Sequence, residues 1–499
     1  MRLDRAREAA AVAAVTALAA MLRFWSLTFG FPQLTRPDEE AIVTVAARVV
    51  RGEFNPGFFD YPTLFMYLVA LVEKAWIGGA AAPDDLRPFL IARALSATLG
   101  TLSVPLLFVV ARRLFSLRIA VMASALLAVA FLHVRDSHFG VTDVPAAFTA
   151  LAAFAAIVFF VFERPRWTNV LPAALLCGLA ASTKYNAGVI VMSLVAAIVM
   201  SDQRRNPVLY ATAVLGSIAG FLAATPYAWI ARDRFLADFS ALSTRMDPYG
   251  SLNAGVGAVH HLTFSLWYGL GALFLFAAVT GVVVVALSPT ARRRAILTVS
   301  FPVLYYAAMG GGHLVYMRYM TPIVPFAALL AAIAIEGAAN RMGGTIAAAI
   351  LTAAVGFDSA ARSIRLDRLL AQTDSRVLAA DYIRSRFASG ASTFQNGSPY
   401  GQVHVQPEGA FPTDVPLQKK PRLVVIQTSP LVAFSGVPPT LRDEVASSYR
   451  LVHRVDVVDP QSAVVATFDQ SDAWYAPVTG FGRYVRPGPT IEIFERTPD

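Results

Sequence analysis

A single cysteine, Cys177, stands among 499 residues, inside an apolar run. That excludes an intrachain disulfide and a thiolate metal cluster, and leaves the thiol a packing role. Charge is also scarce, with Asp, Glu, Lys and Arg together making up 15% of the chain, against about 25% in soluble domains. No repeat of fixed period and no low-complexity segment is present beyond Ala-rich helices, which are common in packed membrane bundles. What the chain has instead is hydrophobicity: apolar residues reach 56% and the mean hydropathy is +0.54, so a bilayer is its main solvent. The net charge of +9 is spread in small basic clusters between apolar runs. This pattern marks membrane topology and argues against a nucleic-acid partner.

The charged start, Met1-Arg-Leu-Asp-Arg-Ala-Arg7, and the apolar body that follows have the form of a signal sequence. The apolar run continues through Phe24, Trp25, Leu27 and Phe29 to Phe31, which favours an uncleaved first helix. Stretches of spanning length fall at 9–31, 88–111, 117–134, 144–162, 168–183, 186–200, 207–230, 262–288, 296–310, 319–337 and 344–360. The fold class expected is a polytopic α-helical membrane protein with about eleven transmembrane helices. The N-terminal arginines, Arg112, Arg113, Arg118, Arg164, Arg166, Arg204, Arg205, Arg292 to Arg294 and Arg341 then sort to one side, the cytoplasm. The first outer loop, about 32–87, carries two amphipathic segments, Glu40–Glu53 and Thr63–Trp76, too short or too charged to span and suited to the membrane surface. After residue 360 the composition turns polar and mixed. A helix starting near Thr373 and strands at 422–427, 449–458 and 490–495 form a small α/β domain, extracytoplasmic by this topology. The domains expected are 1–360 and 361–499.

Four clusters fall on the outer side. Arg36-Pro-Asp-Glu-Glu40 follows the first helix, and crowded, partly desolvated carboxylates suit a general base. A capping role for Asp38 on a helix starting at Glu39 fits as well. His133-Val-Arg-Asp-Ser-His-Phe-Gly-Val-Thr-Asp143 offers Arg135 and His138 for a phosphate, while Asp143 would orient a sugar hydroxyl or cap a helix. Ser182-Thr-Lys-Tyr-Asn186 places a lone Lys184 in apolar sequence, either costly to bury or snorkelling to the interface. His313-Leu-Val-Tyr-Met-Arg318 precedes a helix softened by Pro322 and Pro325, where a fixed guanidinium suits bidentate phosphate contact or interface anchoring. Acids at one place and cations at others describe a site that activates a hydroxyl and stabilises an anionic leaving group.

These motifs resemble the GT-C glycosyltransferases, in particular the protein O-mannosyltransferase and lipid A aminoarabinose transferase branch, glycosyltransferase family 39. The resemblance runs through Asp38-Glu39, Phe59-Asp-Tyr-Pro-Thr-Leu64, Arg135-Asp-Ser-His-Phe-Gly-Val-Thr-Asp-Val-Pro145, Gly178-Leu-Ala-Ala-Ser-Thr-Lys-Tyr-Asn186 and Arg318-Tyr-Met-Thr-Pro-Ile-Val-Pro-Phe326. It implies inverting transfer of a sugar from a polyprenyl-phosphate-linked donor to a hydroxyl on a lipid, glycan or protein acceptor. It implies Asp38 at the catalytic acidic position with Glu39 beside it, and a bacterial inner-membrane location among membrane lipids. Substrate-binding positions would be Arg36, Tyr61, Arg135, His138, Asp143, Lys184, Tyr185, His313, Arg318 and Tyr319. No cofactor and no catalytic metal are expected. The chain lacks the domain inserted between helices in eukaryotic protein O-mannosyltransferases, so a protein acceptor is not implied. A secondary transporter or lipid-linked-glycan flippase is the alternative, and it calls for charges midway along helices and for paired halves.

Overall fold

The computed structural model describes residues 2–34, 36–82, 84–162, 164–245, 255–288, 292–312, 315–407, 409–413 and 415–497. It divides into two compact units. One holds Met1–Leu27 and Ala41–Ser363; the other holds Thr28–Glu40 and Ile364–Asp499.

The first unit is helical. Each expected apolar stretch carries helix, but among the described residues only five helices are long and apolar enough to cross a membrane: Arg87–Leu114, Asp143–Val161, Pro207–Ala224, Met317–Met342 and Thr345–Arg386. The number rises to seven if Leu117–Val129 with Phe131–Ser137, bent by 53°, and Gly257–Leu270 with Ala272–Ala286, bent by 117°, each count as one span. The difference from about eleven lies in breaks and end charges. Lys184 is extended (φ −155°, ψ 129°) between the apolar helix Trp167–Thr183 and the 3-10 turn Tyr185–Ile190, and Gly271 takes φ 89° at the sharper bend.

The first helix, Arg2–Phe24, stops short of the expected Phe31, since Ser26 and Gly30 adopt positive φ, a conformation that ends right-handed helix. Arg23 in its last turn is fully buried. Its guanidinium donates to the carbonyls of Ala19, Leu127 and Ala128 at 2.9 to 3.1 Å. The two amphipathic segments of the first outer loop form helices Pro37–Val50 and Leu64–Ile77.

The second unit contains a four-stranded sheet: β1 (Thr393–Gln395), β2 (Leu423–Thr428), β3 (Tyr449–Val455) and β4 (Thr490–Arg496), in the order β1-β2-β4-β3. β1 lies parallel to β2, and the other pairs are antiparallel. Residues 423–427 of β2 are buried on both faces, which explains why its sequence reads as a continuous apolar run and not as an alternation. Leu423 and Val425 pack with Ile491, Ile493 and the helix Ser375–Arg386. Val424 and Ile426 pack with Leu417, Val445 and Tyr449 on the other side. The short β1 had no readable signal, because three residues cannot display a period.

Candidate active site

In the helical unit, three ionisable residues from three separate elements meet. Asp143 opens the helix Asp143–Ala156, Lys184 sits at the helix break, and Arg318 lies in the 3-10 segment Met317–Ile323. Lys184 Nζ lies 2.5 Å from Asp143 Oδ1, and Arg318 Nε lies 3.9 Å from Asp143 Oδ2. All three side chains are buried, with 11%, 9% and 3% exposure for Lys184, Arg318 and Asp143. The Lys184 ammonium is 5.0 Å from the centre of the Tyr319 ring, and the Arg318 guanidinium 4.1 Å from that of Tyr316, distances at which aromatic faces attract cations. Two cations thus approach one buried carboxylate among apolar helices, a costly arrangement.

Local sequence produces this geometry. Pro322 has no N–H to donate, which favours the irregular 3-10 run that carries Arg318. The break at Lys184 is bolted in place by neighbours: the Ser182 and Thr225 hydroxyls lie 2.5 Å apart, Thr63 Oγ1 donates to the Ala224 carbonyl at 2.6 Å, and the Tyr185 hydroxyl donates to the Phe59 carbonyl at 2.9 Å. Tyr185 packs edge-on against Phe235 and Phe239. The first loop is thereby tied to the lysine, with Tyr61 half-buried between these anchors.

Several sequence expectations are corrected. Lys184 does not snorkel, because Asp143 neutralises it in place. Asp143 does not cap its helix; Thr142 occupies that position. Arg135 is buried against Asp136, Nη1 to Oδ1 3.2 Å, and Asp136 Oδ2 accepts from Thr321 at 2.6 Å. The His138 ring nitrogens face the carbonyls of Val134 and Trp25 at 2.9 and 3.1 Å, so the ring ties these segments together. His313 lies outside the described residues. Arg23, Arg93 and Tyr305 were missed. They are fully buried; the Arg93 guanidinium donates to the Leu27 carbonyl and the Tyr305 hydroxyl to that of Tyr319. Each stands in a long apolar helix, and that placement was the available signal.

The acidic motif belongs to the second unit. Its helix starts at Pro37, not at Glu39, as proline is pre-set for the first helical position; Asp38, Glu39 and Glu40 therefore fill the first turn, near the positive end of the dipole. Glu39 is fully buried, Asp38 half-buried and Glu40 exposed. Arg36, expected to contact substrate, is buried in an ion pair with Asp472, Nη2 to Oδ2 2.7 Å. Among the described residues no three His, Cys, Asp or Glu side chains gather in a metal-binding group.

The helical unit with its broken spans and the small sheet together follow a fold seen in solved oligosaccharyltransferase and ArnT structures. The oligosaccharyltransferase of Archaeoglobus fulgidus in its apo form superposes with a TM-score of 0.60 at 12% identity, covering 98% of this chain and 88% of that one. Against the peptide-tethered form the chain spans 64% of that enzyme's chain. ArnT from Cupriavidus metallidurans superposes with a TM-score of 0.57 at 14% identity, covering 97% of both chains. The same protein bound to undecaprenyl phosphate gives 0.56 at 14% identity and the same coverage. More particularly, residues 14–242 match the family model of dolichyl-phosphate-mannose-protein mannosyltransferases, as the resemblance in the sequence implies. No curated relative matches the sequence.

Proposed function

We propose that the chain transfers a sugar, with inversion, from a polyprenyl-phosphate-linked donor to a hydroxyl of a lipid, glycan or protein acceptor at the outer face of a bacterial inner membrane. The observation that carries this reading is the buried Asp143, Lys184 and Arg318 cluster, whose two cations suit the phosphate of a lipid donor. The undecaprenyl phosphate bound by Cupriavidus ArnT supplies the donor class.

In this mechanism Asp38 takes the acceptor hydroxyl proton while the hydroxyl oxygen attacks the anomeric carbon. The bond from that carbon to the phosphate oxygen breaks, and the electron pair leaves with polyprenyl phosphate. A phosphate departs without being protonated, so one base suffices. Lys184 and Arg318 stabilise the departing charge, and Glu39 supports its neighbour. The enzyme needs no metal for this chemistry, because fixed cations do that work. Release of free lipid phosphate by purified protein, supplied with polyprenyl-phosphate sugars, tests the proposal. Asp38→Asn is expected to lower kcat by at least about 100-fold. Retained turnover would remove Asp38 as the base.

A further inference from the structure

The acidic segment is held by residues from the far end of the chain. Gln33 Nε2 donates to the His404 carbonyl at 2.7 Å, and its Oε1 accepts from the His404 N–H at 3.0 Å. This two-bond pairing mimics a strand contact and fixes register. Phe29 meets Trp474 edge to face at 5.6 Å. The Arg36–Asp472 pair joins residues 436 positions apart and is almost completely buried. On the same side, Tyr400 lies within electrostatic reach of Glu40 and Asp38. Burial first, and then these two charges, raise its phenol. The Tyr400 carbonyl accepts from Arg376 at 2.5 Å, and Arg376 is itself clamped by both oxygens of Asp374 at 2.8 and 2.6 Å. The loop facing the acids is therefore fixed from behind by a buried ion pair.

We infer that Asp472, Gln33 and His404 are positioning residues, through which the C-terminal sheet domain sets the place of Asp38 and Glu39. This rests on the assignment of Asp38 as base. A single residue, Pro37, separates Arg36 from Asp38, so freedom at Arg36 passes directly to the carboxylate. A misplacement of about 1 Å at a reacting group costs about 100-fold in rate. Asp472→Asn removes the charge while keeping the shape, Asp472→Glu restores the charge, and Gln33→Met breaks the other clamp without altering charge.

The test combines steady-state transfer kinetics with hydrogen exchange of the full-length protein. Asp472→Asn and Gln33→Met are each expected to lower kcat by about 10- to 100-fold. The donor KM should stay within about threefold, as expected when orientation and not binding is lost. Amides in 33–42 should exchange faster, while those of 423–428 stay as in wild type. Asp472→Glu should recover most of the loss, and the control Glu492→Gln should stay within about twofold. Unchanged exchange in 33–42, or faster exchange with unchanged kcat, overturns the proposal. Failure of the wild type to transfer from any donor removes the functional reading instead, and exchange alone then decides whether the far-end residues hold the segment.

Discussion

Asp143 is the keystone of the cation cluster, since removing it leaves Lys184 and Arg318 buried without their shared partner. Breaking a buried pair from one side costs about 3–5 kcal/mol, because an uncompensated charge remains. Asp143→Asn should therefore lower the thermal midpoint of the detergent-purified protein sharply. Adding Lys184→Met should recover part of that loss, and additive losses in the double variant would show the pair to be uncoupled. Local sequence read Lys184 as either buried or at the interface, because its partner lies 41 positions away and no helical spacing links the two. A second residue-scale expectation concerns Tyr475 in the sheet domain. Burial pushes its phenol up to about 12, with the Arg376 charge pulling the other way. A folded pKa above the unfolded value near 10 stabilises the neutral form. The contribution is complete below about pH 10 and is lost as pH rises through about 12. The thermal midpoint should fall across that window, and Tyr475→Phe should flatten the fall.

At the scale of elements, the helix that delivers Lys184 is packed backbone to backbone on its neighbour. A Cβ on Gly178 would lie 2.1 Å from the Ser217 carbonyl oxygen, and one on Gly220 would lie 2.2 Å from that of Leu175. Helices Trp167–Thr183 and Pro207–Ala224 can approach this closely only with glycine at those points. Gly220→Val should cost about 1–3 kcal/mol or more through overpacking. It should also lower transfer activity, because the break at Lys184 is bonded to Thr225 at the end of the partner helix. A thermal midpoint and activity equal to wild type would refute this. Helices were the most legible part of the sequence, since apolar length reports them directly. Their ends were less legible: the first helix stops at Phe24 because Ser26 and Gly30 adopt positive φ, which hydropathy does not register. The two helices of the first loop were displaced by one to three residues for a similar reason, proline and turn geometry setting their starts.

For the whole molecule, the topology read from arginine placement is the claim most open to direct measurement. Cys177 is buried and is the only cysteine, so a cysteine introduced at Ser447, on an exposed helix of the sheet domain, would be labelled without background. A membrane-impermeant maleimide applied to intact spheroplasts is expected to react there, and protection until lysis would reverse the topology. The sequence also divided the chain at residue 360, whereas residues 28–40 pack with the C-terminal unit. No composition change marks that segment, and its partners, His404, Asp472 and Trp474, carry no local pattern that pairs them with it. Of the candidate site, residue types and motif order were legible, and the pairings among them were not, because each joins distant parts of the chain. The clamp on the acidic segment has a temporal consequence. Residues 28–40 are made well before their anchors, with Gln33 371 positions ahead of His404 and Arg36 436 positions ahead of Asp472. During synthesis the acidic motif therefore waits for these anchors, and a chain cut between residues 40 and 404 lacks both clamps.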